Sequence, residues 1–321
     1  MTAATRTALL PDRLTEAMRQ TWVSEDLMAA RVGDRELTAE HPRELRRLLS
    51  MALYEELHAG MVEKEPGAVP FHLRDPRFEE QLAAAVPHRT TPRSATVIAV
   101  PADGDGHVLL EREGVRVWTP SEDIEDDGPL AAGQRVTVTA AAARPALSPG
   151  FFLVDGARPA APEPGGLLRV YVHLTGAEAA VGVWTNALRF LEERQADYRA
   201  KVLSARSLYP RRDALVVYLR QGSWDLAHDL ARALRGQPAL GDTVSLFAKQ
   251  LVPGIAAAWE PADRRPGMRG LSFGQHRAGA LAGALIEHRK TSGDLAEIVA
   301  RHFAEAGISA TDPADNSVPP S

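Results

Sequence analysis

The sequence predicts a mixed α+β fold, in which a helical N-terminal region and a small antiparallel β subdomain precede a C-terminal α/β domain with a mostly antiparallel sheet. Three observations support this prediction. Apolar residues recur at helical spacing within 10–63, short runs rich in β-branched residues alternate with turns within 95–154, and strands alternate with amphipathic helices after residue 166. We expect four parts: a helical region at 1–94, the β subdomain and a linker at 95–165, the C-terminal domain at 166–308, and a disordered tail at 309–321.

The composition is that of an ordinary globular protein, with 45% hydrophobic and 25% charged residues among 321. A net charge of −5 argues against a general nucleic-acid binder, which needs a basic surface to displace counterions. The chain has no cysteine, which excludes disulfides and thiolate-bound metal sites. It has neither a signal-peptide h-region nor a stretch of roughly 20 apolar residues, so we expect a cytoplasmic protein that does not enter membranes.

Two helices are predicted first in the N-terminal region. Apolar residues from Leu10 to Trp22 form one stripe, and after a break at Thr38–Pro42 a second stripe begins at Leu45. Tyr54 lies beside this second stripe, and we expect it to pack with its hydroxyl at the rim rather than contact a ligand. A further short helix is predicted at Asp75–Val86.

The β subdomain is predicted to end with a strand in Leu147–Val154. The acidic run Glu122–Asp127 favours a solvated loop over a metal site, because consecutive carboxylates rarely converge on one ion. Prolines and glycines within Gly156–Gly166 then indicate an interdomain linker.

In the C-terminal domain, a strand at Leu167–Leu174 leads into a helix at Ala177–Gln195. Two further strands, AKVLSAR and ALVVYLR, are joined by a short turn, so we expect them to be antiparallel neighbours. Another strand is predicted in VSLFAKQL. The remaining predicted helices are Ser223–Leu234 with Ser223 as N-cap, Ser272–Arg289 with Ser272 as N-cap, and Gly293–Ala306.

Chemically useful side chains lie on neighbouring predicted strands. His173 lies in the first strand, Lys201 begins the second, and an arginine pair, Arg211 and Arg212, precedes the third, which carries Tyr218. An acid, a base and guanidinium groups can together remove a proton from carbon while phosphate leaves. Each residue also has a simpler explanation, as a satisfied histidine, a surface lysine, solvated turn charges or a packed aromatic ring.

A second group of polar residues begins the helix predicted at SFGQHR. Ser272 as N-cap, the first free N–H groups of the helix and Arg277 one turn later would make an anion site, although helix starts with arginine are common. His276 could face this site or the solvent. Lys249 is an isolated cation in an apolar strand and needs a partner, either phosphate or Glu260.

Several familiar motifs are missing from the chain. There is no GxxxxGK[ST], no GxGxxG after a strand and no HExxH, which disfavours an NTPase, a dinucleotide enzyme and a zincin. If the chain binds a phosphate beside a base and an acid, two reactions are possible, hydrolysis and elimination. Hydrolysis would want a metal cluster or a nucleophile, and neither is evident, so we favour elimination without a metal or cofactor.

Over most of residues 45–290 the chain resembles the HopA-type effector family, which includes the lyase proteins of thioamitide and class V lanthipeptide biosynthesis. The catalytic part of that family is similar to the OspF/SpvC phosphothreonine lyases and to the lyase domains of class III and IV lanthipeptide synthetases. The resemblance is carried by LYEELHAG (Leu53–Gly60), LSPGFFLV, RVYVHL, YPRRDALVVYL, LFAKQLVPG, the pair Glu260–Pro261, and SFGQHR.

The resemblance implies a lyase-like C-terminal domain that eliminates phosphate from phosphoserine or phosphothreonine, leaving dehydroalanine or dehydrobutyrine in a RiPP precursor peptide. It implies that Lys201 takes the α-proton and that His173 protonates the departing phosphate. Arg212 and Arg277 would bind that phosphate. The further residues assigned to the phosphate site are Tyr218, Lys249, Ser272 and His276.

The implied partners are the phosphorylated precursor peptide and a separate kinase that resembles aminoglycoside phosphotransferases, since this chain has no kinase motif. The first 165 residues have no counterpart in the phosphothreonine lyases and could bind a leader peptide or the kinase. Two other functions stay open. One is a non-catalytic, effector-like module that binds a phosphopeptide or a partner, and the other is a metal-free phosphatase.

Overall fold

A computed structural model describes residues 10–61, 74–101, 106–112, 114–126, 128–158, 166–268 and 270–318. Across these ranges the chain forms seven α-helices and three antiparallel sheets, which confirms the predicted α+β class. None of the helices in the described part is both long enough and apolar enough to cross a membrane.

The N-terminal region contains a small sheet that helical spacing did not predict. Its elements are α1 (Asp12–Arg19), β1 (Thr21–Val23), β2 (Ala29–Val32), β3 (Arg35–Thr38), α2 (Pro42–Leu53) and a π-helical turn (Tyr54–Ala59). The predicted apolar stripe through Trp22 is wrong beyond Arg19, because Trp22 lies in β1 and is 51% exposed. Gly33, with a φ of 57°, allows the tight turn between β2 and β3.

The five-stranded sheet confirms the predicted β subdomain. After α3 (Pro76–Ala84) come β4 (Thr90–Ala99), β5 (His107–Arg112), β6 (Val115–Pro120), β7 (Ile124–Glu125) and β8 (Arg135–Ala141), in the sheet order β6-β5-β4-β8-β7. Strands β4, β5 and β8 alternate buried residues with more exposed ones, which is the pattern from which they were predicted. The α3 helix begins where the sequence predicts, with Asp75 as N-cap.

The largest sheet has seven strands, all antiparallel, in the order β14-β15-β11-β13-β12-β10-β9. These strands are β9 (Ala143–Ser148), β10 (Phe151–Asp155), β11 (Leu168–Leu174), β12 (Tyr198–Leu203), β13 (Arg211–Leu219), β14 (Lys249–Val252) and β15 (Ile255–Trp259). The predicted antiparallel pairing of β12 with β13 is confirmed.

One strand belongs to a different sheet from the predicted one. Phe151–Asp155 was expected to end the small sheet, but it pairs with β12 in the seven-stranded sheet. All five of its residues are buried. Such a pattern is typical of a strand covered on both faces, whereas the small sheet has alternating strands.

Helices cover both faces of the seven-stranded sheet. On one face, residues such as Val172 and Val217 pack with α4 (Ala177–Glu193) and α5 (Leu226–Leu234). On the other, Tyr171 and Val216 pack with α2 and α6 (Phe273–Thr291), and α7 (Leu295–Glu305) packs on α6. We call this second side the α6 face. It carries the candidate site.

Three of the four helices predicted in the C-terminal domain start close to the observed positions, and α4 begins at Ala177 as predicted. Ser272 caps α6 through a capping box with Gln275, as predicted, and α7 is capped by Asp294. The predicted cap of α5 is wrong, because Asp225 is its N-cap and the Ser223 hydroxyl accepts a hydrogen bond from the Asp197 amide.

The predicted disordered tail is ordered over residues 309–318. Ile308 bridges to Asn316, and the carbonyls of Pro313 and Asp315 accept hydrogen bonds from Arg277. The tail's polar composition suggested disorder, but a buried guanidinium needs acceptors and this segment supplies them. Residues 319–321, and 159–165 of the predicted linker, lie outside the described residues.

Replacing Asn316 with alanine should lower the free energy of unfolding by about 2 kcal/mol, because buried Arg277 loses a side-chain acceptor and the Glu260 carbonyl loses a donor. Urea denaturation measures this change. The matched control is Val318→Ala, which alters a side chain that is 72% exposed and should leave the midpoint within error. Equal midpoints for the two variants would contradict the anchoring role of Asn316.

Candidate functional site

Strand pairing places several cationic residues on the α6 face. Residues directly opposite one another on antiparallel strands share a face, so register defines rows across the sheet. One row contains Arg199, Tyr218 and Arg169. The next row contains Lys201, Val216 and Tyr171. These pairings bring Lys201 and Tyr218, two of the predicted site residues, onto one surface.

Aromatic rings support the cations of this surface. The Lys201 ammonium lies 4.1 Å from the Phe151 ring centroid and 5.9 Å from that of Tyr218. The Arg169 guanidinium lies 5.0 Å from the centre of the Tyr218 ring and forms an ion pair with Glu260. Ring faces attract cations, so Tyr218 holds Lys201 and Arg169 near one another despite their like charge.

A buried carboxylate, Asp213, organises the part of β13 that follows the arginine pair. Arg211 donates to both Asp213 oxygens, at 2.7 and 2.8 Å. Although burial favours the neutral carboxyl, the charge and hydrogen bonds of Arg211 hold the pKa of Asp213 well below its usual range. The group is therefore an anion at neutral pH, and it fixes Arg211 in place.

Tyr54 joins this network from the π-helical turn. Its hydroxyl donates to Asp213 at 3.1 Å and accepts from Arg211 at 2.8 Å. Burial, followed by the Asp213 charge, raises the pKa of Tyr54. The sequence predicted packing with the hydroxyl at the rim, whereas the structure makes that hydroxyl part of the Asp213 network.

His58 is the third residue, after Arg211 and Tyr54, whose side chain lies beside Asp213. One ring nitrogen lies 2.8 Å from the Ser245 hydroxyl and the other 3.8 Å from Asp213. The side chain is buried, and burial lowers the pKa of His58 to about 4. A Cβ at position 274 would lie 2.3 Å from the ring, so only glycine leaves room for it.

His173 and Arg212 form a second group on the α6 face. His173 Nδ1 lies 3.0 Å from the Thr243 carbonyl, and the Thr243 hydroxyl accepts a hydrogen bond from Arg212 at 3.1 Å. Burial lowers the pKa of His173 below its usual range. A cavity of about 150 Å³ adjoins this group, and it is lined by Arg13, Arg212, Glu56 and Thr243 among others.

The π-helical turn passes between the two groups. Tyr54 bonds Arg211 on one side, while the Glu56 carbonyl accepts from Arg212 on the other. Lys201 and His173 share the α6 face, but they are two strands apart and offset along the strands, which separates their Cα atoms by roughly 12 Å. None of the contacts among described residues joins the two side chains directly.

The SFGQHR residues are used in structural bonds. Ser272 caps α6, and His276 lies 2.9 Å from Asp263 and 2.9 Å from Arg277. Arg277 is completely buried, and its guanidinium donates to the C-terminal segment; burial lowers its pKa to about 10. Each of these three side chains therefore has a structural function in the fold.

Lys249 lies apart from these groups. It is exposed at the start of edge strand β14. Glu260, the partner that the sequence offered for it, bonds Arg169 instead. A cation at an exposed edge is solvated and needs no buried partner, so phosphate binding by Lys249 stays a prediction.

The sequence analysis did not identify a third cationic group, which contains Arg199, Arg93 and Arg144. Only Arg199 could have been recognised from the sequence pattern. Arg199 precedes Lys201 by two residues, as Arg169 precedes Tyr171, and this spacing puts both arginines on the α6 face. Arg93 and Arg144 reach the same region from β4 and β9. Their approach depends on contacts between distant strands, which no local pattern reveals.

The α6 face is suited to binding an anion and moving protons. Guanidinium groups hold phosphate through paired hydrogen bonds, and a lysine and a histidine can act as base and acid. Among described residues, no group of three or more His, Asp or Glu is arranged to hold a metal ion.

The stability of the protein should fall as pH decreases from 6.5 to 4. His58 is neutral when buried but becomes protonated in the unfolded chain below pH 6.5, so its contribution is present above that pH and is lost towards its folded pKa of about 4. The loss should be about 3 kcal/mol. Urea unfolding at several pH values should show a smaller loss for His58→Gln and the wild-type loss for His228→Gln, which alters an exposed residue. An unchanged slope in His58→Gln would contradict the neutral, buried state of His58.

The part of the chain that matches a known protein family contains the seven-stranded sheet. The profile of the HopA1 effector protein family matches residues 142–314, which include all seven strands of that sheet and more than half of the chain. No curated protein matches the sequence.

Two solved structures are similar at low identity. One is the effector protein from Pseudomonas syringae pv. tomato strain DC3000, with 15% identity and a TM-score of 0.49, covering 85% of this chain and 89% of that chain. The other is the effector protein from Pseudomonas syringae pv. syringae strain 61, with 15% identity, a TM-score of 0.48, and coverage of 85% and 92%. By the extent of the profile match, the chain belongs to the HopA1 effector protein family.

Proposed function

We propose that this protein eliminates phosphate from phosphoserine or phosphothreonine in a peptide, leaving dehydroalanine or dehydrobutyrine. The observation that carries the proposal is the α6 face, where Lys201 lies among the guanidinium groups of Arg169, Arg199 and Arg211 over an aromatic floor. Phosphate carries two negative charges near neutral pH, so several guanidinium groups on one surface favour its binding.

Lys201 is the proposed base. It acts as the neutral amine, and its position on β12 holds that amine against the Cα–H of a bound residue. The α-proton beside an amide is a very weak acid, and nearby cations stabilise the negative charge that develops as it leaves. Asp213 keeps Arg211 aimed at this surface.

His173 is the proposed acid. The base removes the Cα proton, the electron pair forms the Cα–Cβ double bond, and the Cβ–O bond breaks as phosphate leaves with its electrons and takes a proton from His173. Nδ1 of His173 faces the Thr243 carbonyl, which leaves Nε2 for the ligand, and Arg212 is bonded to the same threonine. Because Tyr54 and His58 cover Asp213, the reacting residue would bind at Lys201 and its phosphoryl group would extend past the edge of the Tyr54–Ala59 turn towards His173.

The substrate is proposed to be a RiPP precursor peptide, of the lanthipeptide or thioamitide kind, phosphorylated by a separate kinase that resembles aminoglycoside phosphotransferases. Membership of the HopA1 family supports this context through the resemblance of that family to peptide-modifying lyases. A cytoplasmic location would give the protein access to both kinase and peptide.

A second candidate is a non-catalytic module that binds phosphopeptides. The observation that favours it is the separation of His173 from Lys201 by the Tyr54–Ala59 turn. Such a module would bind the phosphopeptide and release it unchanged. A metal-free phosphatase, the third possibility, would restore the hydroxyl and give a product heavier by one water than the eliminated peptide.

Replacing Lys201 with alanine should slow elimination by a factor of about 10² to 10⁴, the range expected for loss of a positioned base. The test incubates a phosphothreonine peptide with each protein and follows its mass. Lys290→Ala, which alters an exposed lysine at the end of α6, is the control and should match the wild type. Full dehydration by Lys201→Ala would rule out the base assignment, and an unchanged phosphopeptide with the wild type would favour the binding module.

Replacing His173 with glutamine should slow elimination by a factor of about 10² or more, because the phosphate leaves without a proton donor. The acid must be protonated and the base unprotonated, so the increase of the wild-type rate with pH should level off as pH rises through the His173 pKa, which burial places below its usual range. This levelling should be absent from His173→Gln, whose rate should keep increasing, and present in His228→Gln. Rates measured across pH decide the point, and an identical pH profile in His173→Gln would remove His173 from the mechanism.

A further inference from the structure

Asp155, the last residue of β10, lies among guanidinium groups from three strands. Arg199 of β12 approaches one of its oxygens at 2.6 Å, and Arg144 of β9 approaches the other at 3.2 Å. Arg93 of β4 also pairs with it, from the five-stranded sheet. Asp155 itself is only 1% exposed. Two separate sheets therefore contribute positive charge to one point.

This cationic group lies beside Lys201 on the α6 face. Leu153 is opposite Arg144 on β9 and opposite Lys201 on β12, so Arg144 and Lys201 occupy one row. Two strand spacings separate their backbones by roughly 10 Å. Arg199 precedes Lys201 by two residues and therefore faces the same side. A ligand that reaches Lys201 could reach both arginines.

The local charge favours an anion. Although burial favours the neutral acid, hydrogen bonds and charge from Arg199 and Arg93 lower the pKa of Asp155, so the carboxylate carries one negative charge beside three positive ones. The buried Nε of Arg93 has no hydrogen-bond partner among the described residues. The side chains of Arg144 and Arg199 are 16% and 27% exposed and make further contacts. Their partial exposure lets an incoming anion compete for these guanidinium groups.

We propose that Arg144 and Arg199 bind a second anionic group of the substrate peptide, a carboxylate or a phosphate, two to four residues from the phosphorylated serine or threonine. An extended peptide rises about 3.3 Å per residue, so a span of roughly 10 Å corresponds to about three residues. The substrates are thus acidic on one side of the reacting residue. This assignment builds on the proposed function, because it places the reacting residue at Lys201.

Binding can be measured without turnover by using the Lys201→Ala protein and fluorescent phosphothreonine peptides in anisotropy titrations. Six peptides each carry one glutamate, at the second, third or fourth residue before or after the phosphothreonine. Six matched peptides carry glutamine at the same positions. At one or more positions, glutamate should improve affinity about tenfold, which corresponds to about 1.4 kcal/mol. Phosphoserine in place of glutamate then distinguishes a phosphate preference from a carboxylate preference.

The arginines are tested by adding Arg144→Gln, Arg199→Gln or both substitutions to the Lys201→Ala protein. Each substitution should reduce the difference in affinity between glutamate and glutamine peptides, and the double variant should remove it. Arg189→Gln, on an exposed part of α4, should leave the difference unchanged. Equal binding of all glutamate and glutamine pairs, or a preference that survives the double variant, overturns the proposal. The peptide comparison needs no arginine variant, so a folding defect in one leaves it decisive.

The binding and elimination assays together distinguish failure of the proposed elimination reaction from failure of the second anion site. A tenfold acidic preference without any elimination by the wild-type protein would contradict the proposed function alone. Elimination with equal binding of acidic and amide peptides would contradict only the second anion site.

Discussion

The buried carboxylate of Asp213 is the constraint on which the candidate site depends. A charge taken out of water needs close partners, and Arg211, Tyr54 and His58 supply them from β13 and the π-helical turn. The network fixes the turn against the sheet and aims Arg211 along the α6 face. Without the carboxylate, the largely buried Arg211 would lose its counter-ion and the Tyr54 hydroxyl would lose its acceptor.

A second buried charge, Arg277 near the start of α6, has the same effect on the C-terminal segment. Arg277 is completely buried and satisfied by carbonyl and amide oxygens of residues 313–316. The two networks hold the π-helical turn at 54–59 and the irregular segment 309–318 over one side of the central sheet. The strands of the sheet form the base of the site, and buried charges fix the segments that cover it.

Local patterns predicted what depends on neighbours in sequence. The alternating strands of the small sheet, the start of α3, the cap of α6 and the pairing of β12 with β13 could all be read from residues a few positions apart. The strand Phe151–Asp155 could not be placed, because its uniform burial depends on which sheet covers it. The positions of charged side chains were likewise only partly predictable from local patterns. Arg199 shares the spacing of Lys201, but the positions of Asp213, Arg93 and Arg144 depend on contacts made across the fold.

The central claim is that the α6 face receives the phosphoryl group next to Lys201. A crystal structure of the Lys201→Ala protein with a phosphothreonine peptide tests this most directly, because the peptide cannot be consumed at the proposed rate. The phosphate should lie within hydrogen-bond distance of an arginine of this face, with the threonine Cα turned towards position 201. A phosphate bound away from the face, for example on the five-stranded sheet, would contradict it.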